Sequence, residues 1–143
     1  MVSKIEDIVY GEYIIKRGLL YTPTHEWVRI EGNRIVVGIT DYAQKKLTDI
    51  VYVEAPEIGK TVKKGEVVTH VESVKSVGDI YAPVSGKIVG WNKELEESPE
   101  KINEDPYGEG WIVMLEVENE EELKTLLKPE EYVEVIKKEE SES

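Results

Sequence analysis

A lysine at a predicted turn is the residue of this chain best suited to chemistry. Lys75 stands between two β-rich runs, 67–74 and 77–82, in a stretch that must reverse direction. At the tip of a hairpin, its ε-amine projects into water on a long stem, where an acylating enzyme can reach it. Acylation removes the charge and makes the side chain a long flexible tether. The position predicts an attachment point, with an ordinary surface lysine as the alternative that position alone leaves open.

The residue inventory excludes several kinds of active site. The chain contains no cysteine and only two histidines, His25 and His70. Disulfides, thiolate catalysis and a three-histidine metal site are therefore ruled out. Any sulfur redox chemistry must come from an attached cofactor. Because no nucleophile motif lies beside either histidine, we expect structural or surface roles for both.

The charge of the chain limits its partners. A formal net charge of −12 argues against binding to nucleic acid or to anionic membranes. It fits docking onto proteins with basic patches. No apolar run approaches the length of a membrane span, and residues 1–10 lack the apolar core of a signal peptide. We therefore expect a cytoplasmic protein that binds neither nucleic acid nor membrane.

Short strands separated by turns dominate the pattern until residue 117. Residues 31–33 predict a hairpin turn, and Thr40 or Asp41 can cap a short helix. The charged segment 92–110, rich in Pro and Gly, predicts a long loop. Strands are expected at 25–30, 34–39, 49–54, 67–74, 77–82, 87–91 and 111–117. This pattern favours a small β-barrel or sandwich over a parallel sheet.

The length of 143 residues fits one ordinary domain. We expect an N-terminal extension over residues 1–20 that packs on the domain, and a domain over 21–138 that ends in helices. The acidic segment 139–143 is expected to fray. Four apolar residues of the extension are predicted to pack on the domain: Val9, Tyr13, Ile14 and Ile15.

Two stretches around Lys75 carry a family pattern. Residues 71–76 are Val-Glu-Ser-Val-Lys-Ser, and residues 81–86 are Tyr-Ala-Pro-Val-Ser-Gly. Together they resemble the lipoylation site of the H protein of the glycine cleavage system. The flanking Val74 and Ser76 differ from the Met on both sides that is typical of biotin carriers, and from the Asp-Lys-Ala of 2-oxoacid dehydrogenase lipoyl domains.

Other blocks extend this resemblance in the order of the family. They are Tyr-Thr-Pro-Thr-His-Glu-Trp-Val at 21–28, Gly-Ile-Thr-Asp-Tyr-Ala-Gln at 38–44 and Pro-Tyr-Gly-Glu-Gly-Trp at 106–111. The matches cover roughly residues 20–135. Because a lone Val-Lys-Ser would mean little, the ordered blocks carry most of the weight.

The resemblance implies a mostly β fold, a small barrel-sandwich hybrid of the lipoyl/biotinyl-domain type with short helices, including C-terminal ones. It implies lipoate bound covalently to Lys75 as N6-lipoyllysine. The chain is then a carrier component and not an enzyme. The implied partners are a glycine decarboxylase (P protein), an aminomethyltransferase (T protein), a dihydrolipoyl dehydrogenase (L protein) and a lipoate ligase or lipoyltransferase. We expect a monomer.

The resemblance also implies residues that receive the loaded arm. In the family the arm folds back and its amine meets polar groups, and the matching positions here are Thr24, Glu26 and Asp79. A carboxylate is a suitable partner for a cationic amine. Ordinary solvated strand or turn positions are the alternative interpretation for all three.

Two other functions compete with glycine cleavage. In the second hypothesis, an H-like protein stores or relays lipoyl groups for other complexes, although such a relay would not need Glu26 and Asp79. An enzyme using His25, Glu26 and Asp79 as acid–base groups is the third hypothesis. That hypothesis is the weakest, because the chain lacks a nucleophile motif, a metal cluster and a phosphate-binding loop.

Overall fold

Alternating apolar residues build three sheets in the computed structural model, which describes residues 6–142. The strands are β1 (Ile8–Tyr10), β2 (Tyr13–Ile15), β3 (Leu20–Tyr21), β4 (Glu26–Glu31), β5 (Arg34–Ile39), β6 (Ile50–Val53), β7 (Thr61–Val62), β8 (Val67–Ser73), β9 (Val77–Tyr81), β10 (Gly86–Trp91) and β11 (Val113–Val117). The helices are α1 (Asp41–Leu47), α2 (Lys101–Glu104) and α3 (Pro129–Glu142), with 3₁₀ turns at Lys93–Glu96 and Glu120–Thr125.

The two larger sheets share one apolar core. The six-stranded sheet has the order β3-β4-β5-β11-β10-β7, and the three-stranded sheet has the order β6-β8-β9. Val37 and Leu115 of the first sheet lie in the same buried cluster as Val71 and Ile80 of the second. The predicted mostly β fold with short helices is confirmed, and the strands of residues 6–142 form no closed barrel. No helix among these residues is long and apolar enough to cross a membrane.

The turn and cap predictions agree with the structure. Gly32 occupies the turn between β4 and β5 with a φ of 65°, a conformation that favours glycine. Thr40 is the residue that caps α1, since its side chain accepts a hydrogen bond from the Ala43 N–H. These local signals place β5 and α1, which form one side of the functional site.

The predicted long loop at 92–110 is wrong, because the segment contains a 3₁₀ turn and α2. Leu95 and Ile102 are fully buried in the main core and anchor these two turns. The Asn92 side chain donates to the carbonyls of Glu109 and Trp111, which closes the segment on itself. The sequence pattern indicated a loop because the charged, Pro and Gly residues of this segment far outnumber its two buried apolar residues.

The N-terminal extension packs by one face only. Residues 1–5 lie outside the described part of the chain, and β1 and β2 pair antiparallel as a separate ribbon. Tyr13 and Ile15 are buried as expected, but Val9 and Ile14 are 69% and 45% exposed. Val9 and Ile14 are direct cross-strand partners, so both belong to the face of the ribbon that points to solvent.

The C-terminal helix is longer than the sequence pattern predicts. Buried Tyr132, Val133 and Ile136 pack α3 against the β1–β2 ribbon and β3 in a second apolar cluster. The helix continues to Glu142, whereas fraying was expected from residue 139. Glu139 accepts a hydrogen bond from the His25 ring, a contact that the sequence pattern does not reveal.

The close contact of Gly38 with Trp27 provides a test of this packing. A Cβ at Gly38 would lie 2.6 Å from the buried Trp27 ring. Gly38→Ala should therefore lower the free energy of unfolding by about 1–3 kcal/mol, as overpacking does. Urea denaturation measures this loss.

Gly90→Ala is the matched control in another strand of the same sheet, because its Cβ would meet nothing within 4 Å. Equal losses for the two variants would contradict the assigned contact with Trp27.

Candidate functional site

Lys75 lies at the tip of the β8–β9 hairpin, and its side chain is exposed. The turn beneath it is built by Ser73, whose N–H donates to the Ser76 carbonyl at 2.8 Å. The Ser73 hydroxyl oxygen also accepts from the backbone N–H groups of Lys75 and Ser76 at 3.2 and 3.0 Å. The Val74 N–H donates to the Asp49 carbonyl, which joins the tip to the residue before β6. A rigid turn thus presents a free lysine stem to solvent.

A cleft of about 620 Å³ adjoins the strand that carries this turn. Gly78 and Asp79 of β9, which begins two residues after Lys75, form one side. The other walls are the α1 helix and the last turn of α3. The apolar part of the lining consists of Ile39, Ala43, Leu47 and Ile80. The polar part includes Thr24, His25, Lys46, Asp79, Glu139, Glu140 and Glu142.

This lining suits a lipoyl arm that carries an amine. The apolar residues can pack against an acyl chain and a ring, and the carboxylates outnumber the cationic Lys46. Lys46 lies 4.0 Å from Glu140 and over the Tyr42 ring, so other groups of the protein already balance its charge. The structure thus combines an exposed lysine at the hairpin tip with an acidic, partly apolar cleft along the strand that follows it.

The three predicted docking residues do not all face this cleft. Thr24 and Asp79 line it, and both are exposed. Glu26 is only 1% exposed and borders a second cavity of about 290 Å³, which also touches Thr24. Thr24 donates to Glu26 at 2.6 Å and so connects the two cavities. An amine in the main cleft would meet Thr24 and Asp79 directly, with Glu26 behind the threonine.

Glu26 is a buried carboxyl with several hydrogen bonds. Its Oε1 atom accepts from the hydroxyls of Thr22 and Thr24, and its Oε2 accepts from the Tyr81 N–H at 3.3 Å. Burial raises the pKa of the Glu26 carboxyl above its ordinary value, although the hydrogen bonds oppose the shift. The carboxyl joins the loop before β4 to the end of β9, so it positions Thr24 beside the cleft.

Both histidines contact other side chains of the protein. The His25 ring contacts the Tyr132 hydroxyl through Nδ1 at 2.7 Å and Glu139 through Nε2 at 2.8 Å. His70 lies on β8, 3.4 Å from Glu72 on the same strand. Glu139 and Glu140 are cleft residues that sequence reasoning missed, because their acidic segment resembled a solvated tail.

The buried Glu26 generates a prediction about pH. The folded chain binds the Glu26 proton more tightly than the unfolded chain, so stability falls as pH rises from the ordinary pKa of 4.5 through the raised folded pKa. Glu26→Gln removes this titration. Wild type should therefore lose stability relative to Glu26→Gln as pH rises above 4.5.

Urea unfolding curves from acidic to neutral pH measure the difference. Glu118→Gln, a change at an exposed carboxylate, is the control and should track wild type. A wild-type profile parallel to that of Glu26→Gln would refute the raised pKa.

Comparisons with known proteins identify the family of the chain. The family model described as "Glycine cleavage H-protein" matches residues 19–139. A probable glycine cleavage system H protein of Pyrococcus abyssi is 58% identical over 132 residues, covering 91% of this chain and 98% of that protein. The glycine cleavage system H protein of Rubrobacter xylanophilus is 53% identical over 126 residues, covering 88% of this chain and 98% of the relative.

The fold of the chain is also similar to that of a solved structure. The crystal structure of a glycine cleavage system H protein from Mycobacterium marinum superposes with a TM-score of 0.74 at 40% identity, and the match covers 82% of this chain and 95% of that one. The sequence blocks around Lys75 and at 21–28, 38–44 and 106–111 all lie within the range of the family model. The chain therefore belongs to the glycine cleavage H-protein family.

Proposed function

We propose that Lys75 carries lipoate and that the chain transfers an aminomethyl group from the glycine decarboxylase to the aminomethyltransferase. Membership of the family makes the chain a carrier component of the glycine cleavage system and not one of its catalysts. The observation that carries the finer proposal is the exposed Lys75 on a hairpin whose second strand lines an acidic cleft. A dihydrolipoyl dehydrogenase then reoxidises the dithiol.

When bound, lipoate supplies the sulfur chemistry that a chain without cysteine lacks. The contribution of the protein is to present the amine of Lys75 for attachment and to receive the cargo in the cleft. Asp79 supplies a negative charge on β9, the strand that follows the Lys75 turn, and Thr24 supplies a hydroxyl from the loop before β4. Both groups are suited to the cationic amine of the cargo.

The cleft also protects the cargo from water. An aminomethyl group attached to sulfur is prone to hydrolysis, and apolar side chains packed against it lower the access of water. Ile39, Leu47 and Ile80 provide that lining, and α3 covers one side through Glu139 and Glu140. The carrier can then travel between partners without losing its load.

The charge of the chain supports docking to several partners in turn. The net charge of −12 favours association with partners that present basic surfaces. Electrostatic attraction speeds encounter more than it tightens the complex, which suits a carrier that must also leave. A lipoate ligase or lipoyltransferase is the further partner that attaches the arm.

A lipoyl relay to other complexes is the alternative function, and one feature argues against it. A relay has no cationic cargo and gains nothing from Asp79 and Thr24 in the lining of the cleft. The acidic cleft therefore favours the handling of an aminomethyl group.

The attachment site is tested by Lys75→Arg. Arginine keeps the charge but has no amine that accepts an acyl group, so the variant should gain no lipoyl mass and no cargo from glycine and the decarboxylase. Intact-mass measurement and peptide mapping of protein from lipoate-fed cells give the answer. Lys87→Arg, an exposed lysine on β10, should remain fully modified. Glycine decarboxylation that still proceeds through Lys75→Arg would refute the proposal.

The role of Asp79 is tested by Asp79→Asn in the loaded carrier. Loss of one partly exposed charge pair should raise the spontaneous release of ammonia by roughly 1.4- to fivefold, because such pairs contribute about 0.2–1 kcal/mol. The release is followed without aminomethyltransferase. Asp49→Asn, the same change at an exposed position outside the cleft lining, is the control and should release ammonia at the parental rate. An unchanged rate in Asp79→Asn would remove Asp79 from the site.

A further inference from the structure

The last turn of α3 is held differently from the rest of the helix. Apolar burial anchors the helix at Tyr132, Val133 and Ile136, and the residues beyond Ile136 are exposed or half-buried. Polar contacts hold this end. Glu139 binds the His25 ring at 2.8 Å, and Glu140 lies 3.4 Å from the Tyr13 hydroxyl and 4.0 Å from Lys46. A helix end with few apolar contacts opens at low free-energy cost.

This same turn forms a wall of the cleft. Glu139, Glu140 and Glu142 line the cavity opposite β9, the strand that bears Asp79. Separation of the turn from the loop at His25 would therefore open the cavity on that side. The rest of α3 would remain packed, because its apolar anchors lie one turn earlier.

A directed chain of hydrogen bonds ends at Glu139. The Ala43 N–H donates to the Thr40 hydroxyl oxygen, and the Thr40 hydroxyl lies 2.6 Å from the Tyr132 hydroxyl. The donor order that satisfies every atom lets Tyr132 donate to His25 Nδ1, while His25 Nε2–H donates to Glu139. Each donor strengthens the next along such a chain. Glu139 therefore couples α3 to the N-terminus of α1 and to the loop at His25.

The backbone conformation of His25 links these hydrogen bonds to the orientation of the neighbouring site residues. His25 has a φ of 73°, in the left-handed region that non-glycine residues seldom adopt. It stands between Thr24 and Glu26, so its conformation sets the direction of both side chains. The ring contacts with Tyr132 and Glu139 hold that conformation from the side of α3.

We infer that Glu139 is a positioning residue: its hydrogen bond with His25 keeps the last turn of α3 as a wall of the cleft, and this contact sets how long cargo on Lys75 is protected from water. The inference rests on the proposed function of the cleft. The residue acts through His25 and the wall, and not through contact with the reacting atoms.

Three variants test this role. Glu139→Ala removes the acceptor, Glu139→Gln keeps a neutral acceptor, and Glu134→Ala removes an exposed glutamate of the same helix that pairs with Lys137 at 3.4 Å. Alanine has the highest helix propensity, so any loosening in Glu139→Ala does not arise from a weaker helix. Side chain 139 is partly exposed, and its removal leaves the apolar cluster intact.

Two measurements on the full chain separate the opening of the α3 wall from the protection of the cargo against hydrolysis. Hydrogen exchange of the unmodified protein reports opening of residues 137–142. Ammonia release from the loaded protein, without aminomethyltransferase, reports the protection. In that release water attacks the carbon between sulfur and nitrogen, and the products are the free thiol, formaldehyde and ammonia.

Glu139→Ala should accelerate both the exchange and the release roughly two- to tenfold, the range that corresponds to one hydrogen bond. Glu139→Gln should restore most of the protection, and Glu134→Ala should match the parent. Faster exchange without faster release would overturn the inference, as would equal effects of Ala and Gln at position 139. A chain that never acquires cargo on Lys75 would refute the proposed function and the inference with it.

Discussion

A chain of hydrogen bonds runs from the cap of α1 at Thr40, through Tyr132 and the His25 ring, to Glu139 near the end of α3. It joins two helices that are far apart in sequence to the loop that enters β4. The left-handed backbone at His25 costs about 1–2 kcal/mol, and these bonds offset that cost. Together with backbone hydrogen bonds of the loop, such as that from the His25 N–H to the Thr22 carbonyl, they keep Thr24 at the cleft and Glu26 beneath it. The geometry of the site therefore depends on side-chain contacts made by the helix.

In the proposed function, the turn that attaches the lipoyl group is distinct from the cleft that protects the cargo from water. The β8–β9 hairpin is rigid at its turn through the Ser73 side chain, and it leaves the lysine stem free in solvent. The cleft that is proposed to protect the cargo uses β9 of this hairpin together with α1 and the end of α3. A carrier of this kind needs no catalytic group, because the partners and the cofactor supply the chemistry. Its own contributions are charge, shape and the exclusion of water.

Local signals predicted most of the elements. The hairpin turn at Gly32, the cap at Thr40 and the turn at Lys75 each depend on a few adjacent residues, and the structure has them where the sequence places them. Predictions failed where a single apolar residue decided the outcome. Leu95 fixes a 3₁₀ turn in a segment whose charge indicated a loop. The free energy gained by full burial of its side chain determines the local structure, although its charged neighbours remain solvated. The prediction that Ile14 packs on the domain was wrong for a different reason, since a two-stranded ribbon buries only one of its faces.

For the site, the sequence by itself predicted Lys75 as the anchor and determined the family, because Lys75 and its neighbours lie on one continuous hairpin and need no distant contact. It also named Thr24, Glu26 and Asp79, through their resemblance to family positions. Only the tertiary structure decided which of them faces the cleft. Glu26 is buried because Thr22, Thr24 and Tyr81 surround its carboxyl, and those residues meet only when β4 and β9 belong to different sheets over one core. Glu139 joined the site for the same reason, since it is more than a hundred residues from His25 along the chain and 2.8 Å from its ring in space.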